Sequence, residues 1–294
     1  MKSFALVLLL ALLWGASYPL IKVAVETLPP ITVVALRALI GGLILLAVLG
    51  SRARVLWDMV RSPRPLRDLT IQSALNCFIP WLLIAYAMPL LDSSLATILN
   101  SLSPIFIFLI TAFITKHEPV TRRKALGVAL GIAGVITIVG VDAITASSGK
   151  TLAELACVAG AIAYAVGGVL GVRYAGVTPL APAAGTTLLA AVVLIPIALV
   201  FERPWTVQPS TASVLAVLAS AVLSTGLAMT IYYRLLATVG SIAMSSQAYL
   251  RILVGVGLGM AFLGERPTTH AIAGLCLVVA GVVAMTWPGR RRAP

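Results

Sequence analysis

The sequence predicts an all-α integral membrane protein, with ten transmembrane helices arranged as two inverted five-helix repeats around a central cavity. Three observations carry that prediction. Of 294 residues, 60% are hydrophobic and only 10% charged, where a soluble domain carries roughly a quarter. Ten apolar stretches are each long enough to cross a bilayer core, which takes about 20 helical residues. The chain also matches itself without gaps at an offset of 147 residues.

The ten stretches are 4–25, 31–49, 68–88, 93–115, 122–141, 151–172, 180–200, 211–236, 241–262 and 269–287. Turn chemistry separates most of them: Pro29-Pro30, Asp92-Ser93, Ser147-Ser148-Gly149, Pro209-Ser210 and Arg266-Pro267. The opening stretch has the layout of a signal peptide, one lysine followed by an apolar run and small residues. Its apolar run continues past the would-be cleavage site to Val25, and the repeat needs it, so it is read as the first span.

The net charge of +12 is a topology signal, not a nucleic-acid signal. With a cytoplasmic N-terminus, 15 of the 21 lysines and arginines fall in cytoplasmic segments and 3 in external loops. This bias places both termini in the cytoplasm. The expected location is the plasma membrane, the inner membrane of a bacterium. Cys77, Cys157 and Cys276 lie in apolar runs with no CxxC spacing and no nearby histidine, so neither a disulfide framework nor a metal site is expected.

The repeat aligns residues 94–135 with 241–282. Identities include Ser94 with Ser241, Glu118 with Glu265, Thr121 with Thr268, Gly127 with Gly274, and Ala133-Gly134-Val135 with Ala280-Gly281-Val282. The halves run 1–143 and 144–294. Each holds five spans, an odd number, so the second enters the membrane from the opposite face. Inverted repeats of this kind are a common device of secondary transporters, which bind substrate near the midplane between the halves. The cavity is expected among spans 1, 3, 4, 6, 8 and 9.

Ten spans in two halves, with Trp14-Gly15, Pro19 and Lys22 on the first span, Arg37 on the second, Pro104 on the fourth, and Glu118 or Glu265 followed by Thr and Gly, resemble the drug/metabolite transporter superfamily with paired EamA repeats. Within it the chain looks most like the YddG-type amino-acid exporters. The resemblance covers nearly the whole chain and implies export of small amphipathic metabolites, amino acids foremost, aromatic and other neutral ones among them, by alternating access. One departure stands out: Arg251 occupies the position that the repeat gives to Pro104.

Arg251 is the eleventh residue of a 22-residue span. A charge at that depth costs about 2.5–3.5 kcal/mol on insertion scales and so faces protein or water. Either its planar fork grips a substrate carboxylate, or it pairs with a buried acid or caps helix carbonyls. The nearest candidate acid is Glu154, the one acid clearly inside a span, which leaves facilitated export and weak proton coupling through Glu154 both open. Asn100 and Gln247 are repeat partners near mid-depth. Their carboxamides suit an amino-acid head group, or they hydrogen-bond between helices at about 0.6 kcal/mol each. Trp14 and Tyr18, four residues apart on one face, join Asn76, Trp81 and Tyr164 as candidate lining. Arg37 reads as a structural residue, Lys22 as one that snorkels to the surface.

The GxxxG pairs at Gly127 and Gly131, Gly167 and Gly171, and Gly255 and Gly259 allow close helix contact, within one chain or between two. A monomer or a homodimer is expected, in contact with membrane lipid and a small-molecule substrate, with no nucleic-acid partner. No Walker loop is present, no cofactor is expected, and the chain does not read as an enzyme. Two other classes compete. A membrane-embedded enzyme acting on lipid would converge acids and histidines on a site, yet His117 and His270 sit at span ends. A structural membrane subunit would need neither the repeat nor the mid-depth polar pairs.

Overall fold

The computed structural model describes the backbone of residues 2–116, 120–139, 149–174 and 176–286. Side chains are described over these ranges except at 2–4, 139, 172–173, 233, 236–249, 282 and 285–286. Among the described residues all regular structure is helical. In chain order the helices are α1 (Lys2–Gly15), α2 (Ser17–Ala24), α3 (Pro30–Leu49), α4 (Ala53–Arg61), α5 (Pro63–Ser73), α6 (Ile79–Ala87), α7 (Ser93–Asn100), α8 (Ser103–Leu109), α9 (Arg122–Val139), α10 (Gly149–Leu170), α11 (Leu180–Ile197), α12 (Thr211–Ala219), α13 (Ala228–Leu263) and α14 (Thr269–Thr286).

Several of these are pieces of one span. α1 and α2 together make the first, α5 and α6 the third, α7 and α8 the fourth. Among the described residues seven runs are long and apolar enough to cross a membrane: Ala5–Ala24, Pro30–Arg61, Pro63–Ala87, Ser93–Ile114, Gly149–Leu170, Leu180–Glu202 and Thr211–Tyr232. The runs Leu250–Leu263 and Thr269–Gly281 are shorter apolar helices. α9 corresponds to the expected fifth span and begins with Arg122, Arg123 and Lys124.

The packing follows a two-fold pattern. α3 packs along α11 and α9 along α14, which pairs the second span with the seventh and the fifth with the tenth, each with its own repeat partner. The first span packs against the eighth and ninth, and α10 against α6, α7 and α8. Exchanging the halves turns one set of contacts into the other. Small residues carry the α9–α14 seam: a Cβ at Gly281 would come within 2.5 Å of the Gly127 carbonyl oxygen, and one at Gly134 within 2.8 Å of that of Gly274. At this seam the glycines bring together two helices of the same chain.

The sequence reading ends span eight at 236 and starts span nine at 241, and α13 runs as one helical segment of 36 residues across both. Straight, it would reach about 54 Å, well beyond a ~30 Å hydrocarbon core. It does not run straight. The Ser224 carbonyl accepts from Trp14 Nε1 at 3.1 Å, and a Cβ at Gly15 would lie 3.0 Å from the Arg251 carbonyl oxygen. Residues 224 and 251 would be about 40 Å apart in a straight helix, yet both touch the end of α1. The chain therefore doubles back between them, as separate eighth and ninth spans require. The segment has no proline to force a stop.

Candidate functional site

Three breaks in the helices place the central residues. The first span bends between α1 and α2. There Gly15 lets the ninth span approach: a Cβ would lie 2.7 Å from Val254 Cγ1, so any side chain would push the two apart. The bend presents Tyr18 one turn later. The fourth span breaks between Asn100 and Ser103. Pro104 has no N–H for the Asn100 carbonyl, and the Ser103 hydroxyl donates to that oxygen instead, at 3.0 Å. This leaves Asn100 as the last residue of α7. Its neighbours are tied back along the helix, Thr97 Oγ1 to the Ser93 carbonyl and Ser101 Oγ to the Thr97 carbonyl, both at 2.7 Å. The eighth span widens into a π-helical turn over Ser220–Leu227, which turns Thr225 inward.

These breaks converge. Asn100 Nδ2 donates to the Tyr18 hydroxyl, and both residues are buried. Arg251 and Arg37 lie within electrostatic range of that hydroxyl. Tyr164 lies within range of Tyr18, Arg37, Cys77 and Arg251. Tyr18, Asn100, Tyr164, Arg37 and Arg251 thus form one interior cluster drawn from the first, second, fourth, sixth and ninth spans.

Two polar atoms in the cluster have no partner among the described residues. Arg251 Nε is buried without a hydrogen bond, and so is Asn100 Oδ1. Arg251 makes no ion pair there; the ion pair that the structure records joins Arg67 to Asp68 at 3.4 Å. The expected alternative of an Arg251–Glu154 pair is therefore absent among the described residues. Glu154 is buried near the start of α10.

Arg37 is more tightly held than Arg251. Its Nε donates to Thr225 Oγ1 at 2.9 Å, and its guanidinium lies 4.4 Å from the centre of the Trp81 ring. Such a contact contributes about 2 kcal/mol where water is excluded. The structural reading of Arg37 fits this geometry, and Trp81 reaches the cluster through it. Trp14 lies one turn away: its N–H is committed to Ser224, and its ring lies 5.3 Å from that of Tyr232. Asn76 sits against Gly167 of α10, where a Cβ would lie 3.2 Å from its Nδ2. The side chains of Gln247 and Tyr249, and all of Glu118, lie outside the described residues.

Lys22 holds the end of a neighbouring helix. Its Nζ donates to the carbonyls of Met88 at 3.0 Å and Leu91 at 2.5 Å, just past the end of α6, where a cation meets the negative end of a helix.

Two carboxylates on the same face make the converse contact with helix starts. Glu202 accepts from the N–H groups of Ile31 (2.8 Å) and Thr32 (2.7 Å) and from Thr32 Oγ1 (2.8 Å) at the start of α3. Glu265 accepts from the N–H groups of Ser93 (2.6 Å) and Ser94 (3.0 Å) and from Ser94 Oγ (2.5 Å) at the start of α7. Burial pushes the Glu265 carboxyl up, but these bonds outweigh burial and hold it below the usual carboxylate range. A cavity of about 440 Å³ adjoins it, lined by Lys22, Glu26, Asp92, Leu263, Gly264, Glu265 and Arg266. Sequence reading marked Glu265 through the repeat alone. The available signal was a carboxylate just past one apolar span and a Ser-Ser pair opening another, a match for the positive end of a helix.

Comparison with known proteins places this arrangement. Residues 1–140 and 151–287 match the EamA-like transporter family. The chain belongs to that family. It is 28% identical over 286 residues to the uncharacterized inner membrane transporter YedA of Escherichia coli (strain K12), covering 96% of this chain and 90% of that one. It is 23% identical to the uncharacterized transporter YoaV of Bacillus subtilis (strain 168), covering 96% and 95%. An uncharacterized transporter of Archaeoglobus fulgidus is 27% identical, with 97% of each chain covered. A protein crystal structure at 22% identity superposes with a TM-score of 0.68 over 99% of both chains, a likeness of fold. This EamA-family chain is accordingly a membrane transporter with two EamA repeats.

Proposed function

We propose that this EamA-family transporter exports small amphipathic metabolites, amino acids foremost, by alternating access, as the resemblance to YddG-type exporters implies. The observation that carries the reading is a pair of buried atoms without partners among the described residues, Arg251 Nε and Asn100 Oδ1. Buried polar groups are nearly always paired, and an orphan calls for an explanation. One of these is a donor on a cation and the other an acceptor; Asn100 is bonded to Tyr18 and Arg251 lies within electrostatic range of it. An amino acid supplies the complements: a carboxylate for the guanidinium and an ammonium for the amide oxygen and the tyrosine hydroxyls. Gln247, four residues before Arg251, shares its helix face. Trp14, Tyr18, Asn76, Trp81 and Tyr164 offer aromatic and amide surface to the remainder of the substrate.

The halves 1–143 and 144–294 exchange shapes during transport, and both termini face the cytoplasm. The test is uptake of a radiolabelled amino-acid panel into vesicles that contain only this protein. Saturable uptake of one or more neutral amino acids, competed by the others, supports the reading. A flat response across the panel, with the protein monodisperse and inserted, overturns it. Cysteines at positions 148 and 291 should label from opposite faces of the membrane.

A further inference from the structure

We propose that Glu265 is the latch of the transporter's outer gate: its bonds to the start of α7 hold that face shut, and their release lets the face open and withdraws Asn100 from Tyr18.

The face in question lies at the end of the first span, the outer one by the distribution of lysine and arginine. Glu265 belongs to the second repeat and α7 to the first, so the three bonds cross between repeats. Their acceptor is fixed in place. α13 ends with Gly264 in the left-handed region (φ 64°), a conformation that suits glycine, and the Glu265 N–H returns to the Gly259 carbonyl at 3.1 Å. Gly259 leaves room for the carboxylate: a Cβ there would lie 2.3 Å from Glu265 Oε2 and 2.5 Å from Ser94 Oγ.

The contact is confined to one end of both spans. α7 lies against α13, with Thr97 beside Gly255. Below the break α8 packs on α10 and α9. The fourth and ninth spans, repeat partners, therefore meet near this face and diverge beneath it. Glu202 makes the same kind of cap but joins α11 to α3, which pack along their lengths; that bond belongs to a standing wall.

α7 also connects the latch to the cluster. It is an eight-residue helix with Ser93 and Ser94 at one end, held by Glu265, and Asn100 at the other, bonded to Tyr18. The Asn100–Ser103 break uncouples it from α8. A rigid segment held at one end and hinged at the other transmits displacement of its start to Asn100.

The test uses a chain in which Cys77, Cys157 and Cys276 are replaced and Thr97→Cys supplies one thiol, in sealed vesicles of known orientation. A membrane-impermeant thiol reagent is applied to one face at a time. Because no substrate enters the assay, its outcome is independent of the amino-acid reading. Loss of hydrogen bonds to a charged group shifts an equilibrium roughly ten- to hundred-fold. Glu265→Gln is expected to raise modification from the outer face by about that factor and to leave or lower the rate from the inner face. Ser94→Ala, which removes one bond and spares the carboxylate, should give a smaller increase in the same direction. Rates unchanged by both substitutions, or raised equally from both faces, overturn the proposal. Glu202→Gln is the matching control for a static cap and should leave the outer rate unaltered.

Discussion

Asn100 donates to the Tyr18 hydroxyl across 82 positions of sequence, joining two spans that are each broken beside the bond. Neither residue can be placed by its own helix alone. The bend after Gly15 sets Tyr18, and Pro104 sets the end of α7. The bond also fixes which end of the carboxamide remains free.

Tyr18→Phe removes the acceptor for Asn100 Nδ2, and Asn100→Leu removes the donor and the unpartnered oxygen together. In a double-mutant cycle on substrate affinity the two should couple by about 0.5–3 kcal/mol. Additive losses would show that the bond and the binding of substrate are independent.

Arg251→Lys keeps the charge but loses the planar fork, and partial transport should remain. Arg251→Ala should reduce transport of amino acids at least tenfold, and transport of their uncharged amide analogues much less. Competition assays in vesicles read the difference directly. Equal loss for both, with poor insertion, would mark a structural arginine.

Energy coupling is a separate question. Glu154 is buried one turn into α10, apart from the ion pair that the structure records. Glu154→Gln should retain most export, as expected for downhill transport. Abolition of pH-driven accumulation by this substitution would contradict that expectation.

Gly15→Val should lower thermal stability. The added Cβ would fall 2.7 Å from Val254 Cγ1 and 3.0 Å from a backbone oxygen that cannot move aside. Overpacking of this kind costs about 1–3 kcal/mol. A melting curve in detergent measures it, and an unchanged midpoint would show that the first and ninth spans tolerate separation.

Acid should weaken the outer face. The folded Glu265 carboxyl is held below its ordinary value, so its stabilisation is present above about pH 4.3 and is lost as pH falls through the lower folded value. Lys22 and Glu26 from the first span, Asp92 before α7, and Arg266 beside it face the same cavity and shape that response. Glu265→Gln should flatten the dependence of melting temperature on pH in the acid range. An unchanged slope would show that other carboxylates dominate.

Most of the spans were legible because hydropathy is a local property, readable in a window of about 20 residues. The repeat was legible because it leaves the same letters at a fixed offset. The partners of Lys22 were not: the carbonyls of Met88 and Leu91 lie 66 and 69 positions away in sequence. The caps made by Glu202 and Glu265 depend on partners about 170 residues away. Of the site candidates, Tyr18, Asn100, Tyr164 and Arg251 meet, while Trp14 and Asn76 are each one packing layer removed. Helical periodicity says which face a residue shares, but not which neighbour that face meets. The reversal within α13 falls where the sequence reading ends span eight at 236 and starts span nine at 241, although no proline marks it.

The α1 end of the first span is made long before the late spans that it packs against. Trp14 bonds to Ser224, 210 positions later, and Gly15 waits for Val254. At roughly 5–20 residues per second, that interval is on the order of 10–40 s. During it the bend at Gly15 has only lipid, nascent helices or the insertion machinery for company. Substitutions that expose polarity in the first span should therefore register as loss of assembled protein in cells before any effect on the finished transporter is visible.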